Sequence, residues 1–335
     1  MRVARLHGVG DLRVGEADCP VPEAGESLVR VTAVGLCGSD LHWFADGGIG
    51  DAVLSAPLVL GHEFAGVVEG GPLDGRRVAV DPSNPCGVCE QCLEGNRNLC
   101  PTLRFTGHGR TDGGLRELHA WPTALLHPIP DTLSDADGAM LEPLGVALHS
   151  VDLAHVRLGD TVVVVGCGPI GLCMVQLARV AGAAVVIGVE PIAHRRAAAL
   201  ALGADVACDP AEAVARIDEI TGGSGADVVL EVAGTDDAVG LAVDVVRPGR
   251  RVVLAGIPSA DTTTFPASTA RRKGISLVMV RRMREMYPRT IALVDSGKVD
   301  VRSIVSHTFG LADVAAAFAL GEARVGLKVI VEPNA

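Results

Sequence analysis

Residues 161–177, TVVVVGCGPIGLCMVQL, decide the fold. Thr161 to Val165 is a uniform β-branched run of the kind that suits a parallel strand buried on both faces. It passes directly into Gly166-Cys167-Gly168-Pro169-Ile170-Gly171, which opens an apolar helical stretch. Strand, glycine turn and helix in this order match the dinucleotide fingerprint G-x-G-x-x-G. Gly166 permits the tight turn, Gly168 lets a pyrophosphate approach the backbone, and Gly171 lets the helix pack closely on the strand. Pro169 and Ile170 start that helix, whose free N–H groups and positive potential favour phosphate. Glu190 ends the next strand 24 positions after Gly166. A carboxylate there accepts both ribose hydroxyls of the adenosine and repels a 2′-phosphate, which predicts NAD rather than NADP. Arg195 is assigned to the same site; with Arg196 it is also the alternative, a pair of cations able to receive that phosphate.

Working outward, Val185 to Val189, Asp227 to Val232 and Arg251 to Ala255 repeat the short β-branched run. Ala/Leu-rich stretches, Ile170 to Gly182 and Ala193 to Leu202, lie between them, which is the strand-helix alternation of an open, doubly wound α/β sheet. Residues 146–281 are therefore predicted to form a Rossmann domain. Upstream the texture is β-rich: Ser27 to Val34, Phe64 to Glu69 and Arg77 to Val80 are separated by Gly and Pro turns, and helix signals are sparse. Residues 1–145 are read as a second, β-rich domain. Beyond residue 282 the chain offers a helix from Tyr287 to Ser296, another around Leu311 to Phe318, and a closing strand, Lys328 to Val331. Residues 282–335 are expected to return to the first domain. A length of 335 residues agrees with two domains, and no internal repeat is visible.

With 48% hydrophobic and 21% charged residues the whole chain can bury enough apolar surface to fold. No apolar run reaches the ~18–20 residues that span a bilayer, and the N-terminus lacks the apolar core of a signal peptide. A soluble, cytoplasmic protein is expected. The formal charge of −11 excludes nucleic acid and anionic membranes as partners, since both need a basic surface.

Of nine cysteines, Cys86, Cys89, Cys92 and Cys100 fall within fifteen residues. In a cytosolic chain such a cluster indicates metal rather than disulfides. Gly87 and Gly95 let the loop fold around a centre. Four thiolates with no open position fit a closed, tetrahedral structural zinc better than an iron-sulfur cluster.

A second constellation is spread along the first half: Cys37-Gly38-Ser39-Asp40-Leu41-His42, then Gly61-His62-Glu63, then Leu141-Glu142-Pro143. Each is ambiguous alone, and their joint order carries the argument. With CGSDLHWF from Cys37, PLVLGHEFAGVV from Pro57, the four-cysteine loop, EPLGVALH from Glu142 and GCGPIG from Gly166, the chain resembles the medium-chain zinc alcohol dehydrogenases over essentially its full length. Within them it resembles the sorbitol (L-iditol), xylitol and L-idonate dehydrogenase group.

The resemblance implies a GroES-like catalytic domain beside the Rossmann domain, and two zinc ions per chain. Cys37 and His62 would be ligands of a catalytic zinc, with Glu63 and Glu142 competing for the third position. Asp40 would orient His62. Ser39 matches the family's hydroxyl relay, and His42 a residue that passes the proton through the cofactor ribose to solvent. Trp43, Phe105 and Arg282 match substrate-facing positions, with Met283 where mammalian sorbitol dehydrogenases often carry tyrosine. The implied reaction is reversible oxidation of a secondary alcohol of a polyol to a ketose, with hydride transfer to NAD. An L-idonate 5-dehydrogenase acting on a sugar acid is the alternative, with Arg281 or Arg282 facing the carboxylate. A non-catalytic nucleotide-binding protein is a third reading, against which the Cys37, His62, Glu142 and Ser39 set speaks. Family members are commonly dimers or tetramers, so a homo-oligomer is expected.

Overall fold

The computed structural model describes residues 1–258 and 262–335 and divides into two compact units. One comprises Pro143–Met283 with Gly297–Asp300; the other comprises Met1–Glu142, Arg284–Ser296 and Val301–Ala335.

In the first of these, six parallel strands lie in the order Val206–Cys208, Val185–Val189, Thr161–Val165, Ala226–Glu231, Val246–Leu254, Ser276–Met279. Numbered along the chain that order is 3-2-1-4-5-6, the doubly wound dinucleotide-binding arrangement. Val162, Val163 and Val164 are completely buried, which is why this strand shows no polar alternation. The sheet reverses direction of growth between Thr161–Val165 and Ala226–Glu231, where Val165 lies opposite Glu231. The turn Gly166–Gly168 leaves the sheet at that point, where ligands of such folds bind. Helix Pro169–Val180 follows and buries Gly171 through Ala178. Other crossover helices begin on side-chain caps: Asp209 accepts from Ala211 N–H and Thr235 from Ala238 N–H.

The other unit is built on Glu26–Gly35, whose burial alternates along most of its length as one face meets the core. It pairs antiparallel with Glu63–Glu69, Leu118–Pro122 and Lys328–Glu332. Arg77–Val80 and Leu126–Pro128 extend the sheet on one side, and Val305–Gly310 extends it on the other by parallel pairing with Lys328–Glu332. A large apolar cluster, including Leu6, Val31, Trp43, Leu60, Phe64, Val80 and Phe318, fills the interior, with a smaller one of Ala33, Ala139 and Ile330.

Two features depart from the sequence pattern. Helices Gly38–Asp46, Asp135–Ala139 and Leu141–Ala154 lie where helix signals are sparse. The first starts on Cys37, outside the usual cap residues, and the last is apolar on nearly every face, so neither announces itself by periodicity. Val305–Gly310, VSHTFG, is a strand that its polar residues conceal. Among the described residues no helix is long and apolar enough to cross a membrane.

Candidate metal centre and cofactor loop

Glu26–Gly35 delivers the chain to Cys37, which caps helix Gly38–Asp46. Three positions into that helix, Asp40 is completely buried. One carboxylate oxygen accepts from Cys37 N–H at 3.0 Å; the other accepts from Gly61 N–H at 3.1 Å and faces His62 Nδ1 at 3.5 Å. A single carboxylate thus holds the cysteine segment and the histidine segment in register. Burial opposes its ionisation, but His62 and the two N–H donors outweigh that and keep its pKa below the ordinary value. Burial likewise opposes charge on His62, yet Asp40 and Cys37 carry the imidazole well above its usual range. Ser39 Oγ lies 3.5 Å from His62 Nε2.

Glu63, the first residue of strand Glu63–Glu69, is completely buried. Its Oε2 is ion-paired with Lys328 Nζ, which also donates to the Leu36 carbonyl at 3.0 Å. Its Oε1 is buried with no hydrogen-bond partner. The donor atoms of Cys37, His62 and Glu63 all lie within 4.8 Å of one another. An orphaned carboxylate oxygen, a thiol and a strongly basic imidazole at that spacing fit a divalent zinc ion. Glu142, in the first turn of Leu141–Ala154, is outside this tight group. It is nonetheless buried, and its carboxyl is pushed up to about 7, by burial first and then by Glu63 and Asp81, against His62 and Lys328.

In the cysteine loop the four sulfur atoms also lie within 4.8 Å of one another. Helix Glu90–Leu93 starts on Cys89, and the 3-10 turn Arg97–Leu99 runs into Cys100. The Val88 and Cys89 N–H groups push the Cys86 thiol down to about 6, whereas burial first, then Cys89, pushes Cys92 up to about 12, so it is the spacing of the four sulfur atoms that marks the loop as a metal site. All nine cysteines are free thiols. This loop too fits zinc.

An aromatic cluster begins at His62. The His62 ring lies 5.3 Å from that of Phe105; His108 stands 6.5 Å from Phe105 and 5.4 Å from Trp43. His108 lies in FTGHGR, a stretch that carries no periodic signal, and only these contacts reveal it. His42 Nδ1 is 2.9 Å from Asp46 one turn along the same helix. Arg282 belongs to the other unit, partly buried and in the left-handed backbone region at φ 52°, and Met283 after it is buried.

In the cofactor loop Gly166 turns at φ 96°. A Cβ on Gly171 would come within 1.9 Å of the Gly166 carbonyl oxygen, so only glycine lets the helix approach the strand there. A Cβ on Gly168 would meet only Arg195 Nη1, at 3.8 Å, so that side of the loop is open and flanked by a guanidinium. Pro169 occupies the first turn of the helix and Ile170 follows it. Glu190 is 4% exposed, and its two oxygens accept from Cys167 N–H at 2.8 Å and Ile192 N–H at 3.1 Å. Arg196 is committed elsewhere: it donates to the carbonyls of Glu190 and Pro191, each at 2.7 Å, and to Asp209 at 3.4 Å. Of the two arginines, Arg195 is the one beside the loop.

Comparison with known proteins agrees with this geometry. Residues 23–131 match the alcohol dehydrogenase GroES-like domain and residues 169–296 the zinc-binding dehydrogenase domain. The chain is 34% identical to sorbitol dehydrogenase of Bos taurus, over 98% of this chain and 96% of that protein. The crystal structure of L-idonate 5-dehydrogenase from Escherichia coli K-12 superposes with a TM-score of 0.92 at 29% identity, covering 99% of this chain and 97% of that one. An alcohol dehydrogenase of Escherichia coli CFT073, solved with NADH bound, superposes with a TM-score of 0.89 at 30% identity, covering 99% of each chain. The chain belongs to the zinc-binding alcohol dehydrogenase family.

Proposed function

We propose that this protein is a zinc-dependent, NAD-linked dehydrogenase that reversibly oxidises a secondary alcohol of a polyol to a ketose. The observation that carries the reading is the convergence of Cys37, His62 and Glu63 within 4.8 Å around an orphaned buried oxygen, in a chain that also holds a complete dinucleotide loop. Cys37, His62 and Glu63 would hold the catalytic zinc, with Glu142 beside them, and Cys86, Cys89, Cys92 and Cys100 a structural one. When bound, zinc would supply Lewis acidity toward an alcohol oxygen and NAD a hydride acceptor.

The remaining work falls to the chain. Asp40 fixes the His62 ring, Ser39 takes the alcohol proton, and His42, oriented by Asp46, passes it to solvent. Gly166, Gly168, Pro169, Ile170 and Gly171 receive the pyrophosphate, Glu190 the adenosine ribose, and Arg195 flanks the loop. Trp43, Phe105 and Arg282 would face the substrate. The similarity to sorbitol dehydrogenase favours a polyol; the likeness to L-idonate 5-dehydrogenase supports a sugar acid, with Arg282 as carboxylate partner, as the second reading. Nine free thiols support a reducing, cytoplasmic setting. Strand Ser276–Met279 ends its sheet with Met279 66% exposed, which supports a homo-oligomer, dimer or tetramer.

A panel of polyols, sugar acids and simple alcohols, each with NAD and NADP, tests the reading. Polyols are expected to exceed simple alcohols in kcat/KM, by up to ~10⁴-fold where the site's polar groups would otherwise be unpaired. Arg282→Ala is expected to damage polyols more than short alcohols. Efficient ethanol oxidation without polyol activity would overturn it, and selective reduction of 5-keto-gluconate would establish the sugar-acid reading instead.

A further inference from the structure

Arg97 stands between Cys92 and Cys100, on the 3-10 turn Arg97–Leu99. Its side chain turns inward and is 18% exposed. Nη2 donates to Asp81 Oδ2 at 3.0 Å and to the Ser83 carbonyl at 3.1 Å. Asp81 is 2% exposed, and its other carboxylate oxygen accepts from Ser83 N–H at 2.9 Å. A carboxylate buried to this degree needs a cation and N–H donors to stay ionised.

Both gripped groups lead to the Cys37–His62–Glu63 donors. In the pairing of Arg77–Val80 with Glu63–Glu69, Val80 lies opposite Phe64, so Asp81 continues one step toward the end where Glu63 stands. Ser83 pairs with Phe105, whose ring lies 5.3 Å from that of His62. The same segment is fastened from two other sides, by Trp121 Nε1 on the Asp81 carbonyl at 2.8 Å and the Tyr287 hydroxyl on the Val80 carbonyl at 2.7 Å.

We propose that Arg97 is a positioning residue through which the cysteine loop holds the Cys37–His62–Glu63 donors in place, so that the metal state of the loop is felt at that site. The inference rests on the assignment of zinc to both sites made above. Loss of the loop's metal frees the chain around Arg97, because a site of this kind orders its loop only when filled. Asp81 is then left as an uncompensated buried carboxylate beside Glu63, and the Ser83–Phe105 pair loses its anchor next to His62. Consistent with this, burial pushes the Asp81 carboxyl up to about 6, and Arg97 is the first group to oppose it.

The test uses the zinc-loaded full chain and follows release of its two metals to a chromogenic chelator, with His62→Ala identifying the phase that belongs to Cys37 and His62. Arg97→Met is expected to keep the cysteine-bound zinc and to release the other about tenfold faster, the lower end of what outer-shell substitutions cost. Adding Asp81→Asn removes the stranded charge and is expected to return release to within about threefold of the unmutated protein, as for two residues acting through one contact. Arg97→Lys keeps a cation but not the double grip, and serves in the same way if Arg97→Met does not fold. Unchanged release of the His62-dependent zinc in a folded Arg97 variant, or no recovery in the double variant, would overturn the proposal. Fewer than two zinc ions in the unmutated protein would remove the underlying assignment, and the proposal with it.

Discussion

Lys328→Met isolates the contribution of one buried ion pair. The lysine side chain is 2% exposed and Glu63 is completely buried, so water cannot replace the ammonium when it is removed. Methionine keeps the apolar stem packed but leaves Glu63 charged, with Oε1 already lacking a partner. Breaking a buried pair from one side costs ~3–5 kcal/mol. The Leu36 carbonyl, which accepts from Lys328 at 3.0 Å, loses a donor for about 1 kcal/mol more. Against the ~5–15 kcal/mol that holds a domain together, this brings the unit close to its limit. The neutral double variant Lys328→Met/Glu63→Gln is expected to return to within about 1 kcal/mol of the unmutated protein. Urea unfolding of zinc-stripped protein followed by tryptophan fluorescence reads the correct unit, because both tryptophans, Trp43 and Trp121, are buried in it. Burial pulls the Lys328 pKa down, but Glu63 and Cys37 carry it above the ordinary value. The linkage contribution of the Lys328 ammonium is therefore present below the ordinary lysine pKa and is lost as pH rises through the raised one. A loss below about 1 kcal/mol in the single variant, or a double variant as unstable as the single, would refute the reasoning.

Other outcomes follow from the same geometry. Metal analysis is expected to find two zinc ions per chain; Cys92→Ser should lose one and destabilise the 86–100 loop, whereas His62→Ala should keep the cysteine-bound zinc and lose activity. One zinc in the intact protein, or iron with visible absorption, contradicts this. Glu190→Ala removes the acceptor of the Cys167 and Ile192 N–H groups as well as the ribose partner. The kcat/KM for NAD is then expected to fall ~10–100-fold, the worth of one charge-assisted hydrogen bond, and the preference over NADP to narrow. A larger kcat/KM for NADP in the unmutated protein would transfer the credit to Arg195. His127 stacks on Tyr287 at 4.5 Å, and burial first, then Arg97, push its pKa down to about 4 from an ordinary 6.5. Its neutral form is thus the one that stabilises the fold: the contribution is present above the ordinary pKa and lost as pH falls through about 4, up to ~3 kcal/mol. His127→Phe should flatten the acid limb of the stability curve, and an unaltered slope there would disprove the assignment.

The cofactor loop and the cysteine loop are legible in the sequence because their chemistry is local. Six residues carry the turn, and fifteen carry four thiols that meet wherever that loop closes. The site around His62 is legible only in part. His62 and Glu63 are adjacent, but the partner of Glu63 is 265 positions away, and a lysine opening the strand KVIVE gives no sign of being buried. The sequence leaves Glu63 and Glu142 equivalent, because their distances from Cys37 and His62 depend on where a nearly all-apolar helix begins, and no periodicity marks that. Arg195 and Arg196 are equivalent on paper. Consecutive helical residues point about 100° apart, so only the placement of helix Ala193–Ala201 separates the arginine beside Gly168 from the one bound to the Glu190 carbonyl. Asp81 and Arg97 look like ordinary surface charges until strand pairing brings one under the other.

The strand Lys328–Glu332 pairs with Glu26–Gly35, so the sheet that carries Glu63 is completed by residues synthesised about 265 positions after it. At ~5–20 residues per second a ribosome needs on the order of tens of seconds to travel from Glu63 to Lys328. The nucleotide-binding sheet, ending at Met279, is wholly available before that. The strand that carries Glu63 must therefore wait, its carboxylate without a counter-ion, while the nucleotide-binding sheet is already able to close. A nascent chain halted by a premature stop before Lys328 is expected to present an open strand edge to chaperones and proteases, and to be cleared rather than to persist as a partly active enzyme.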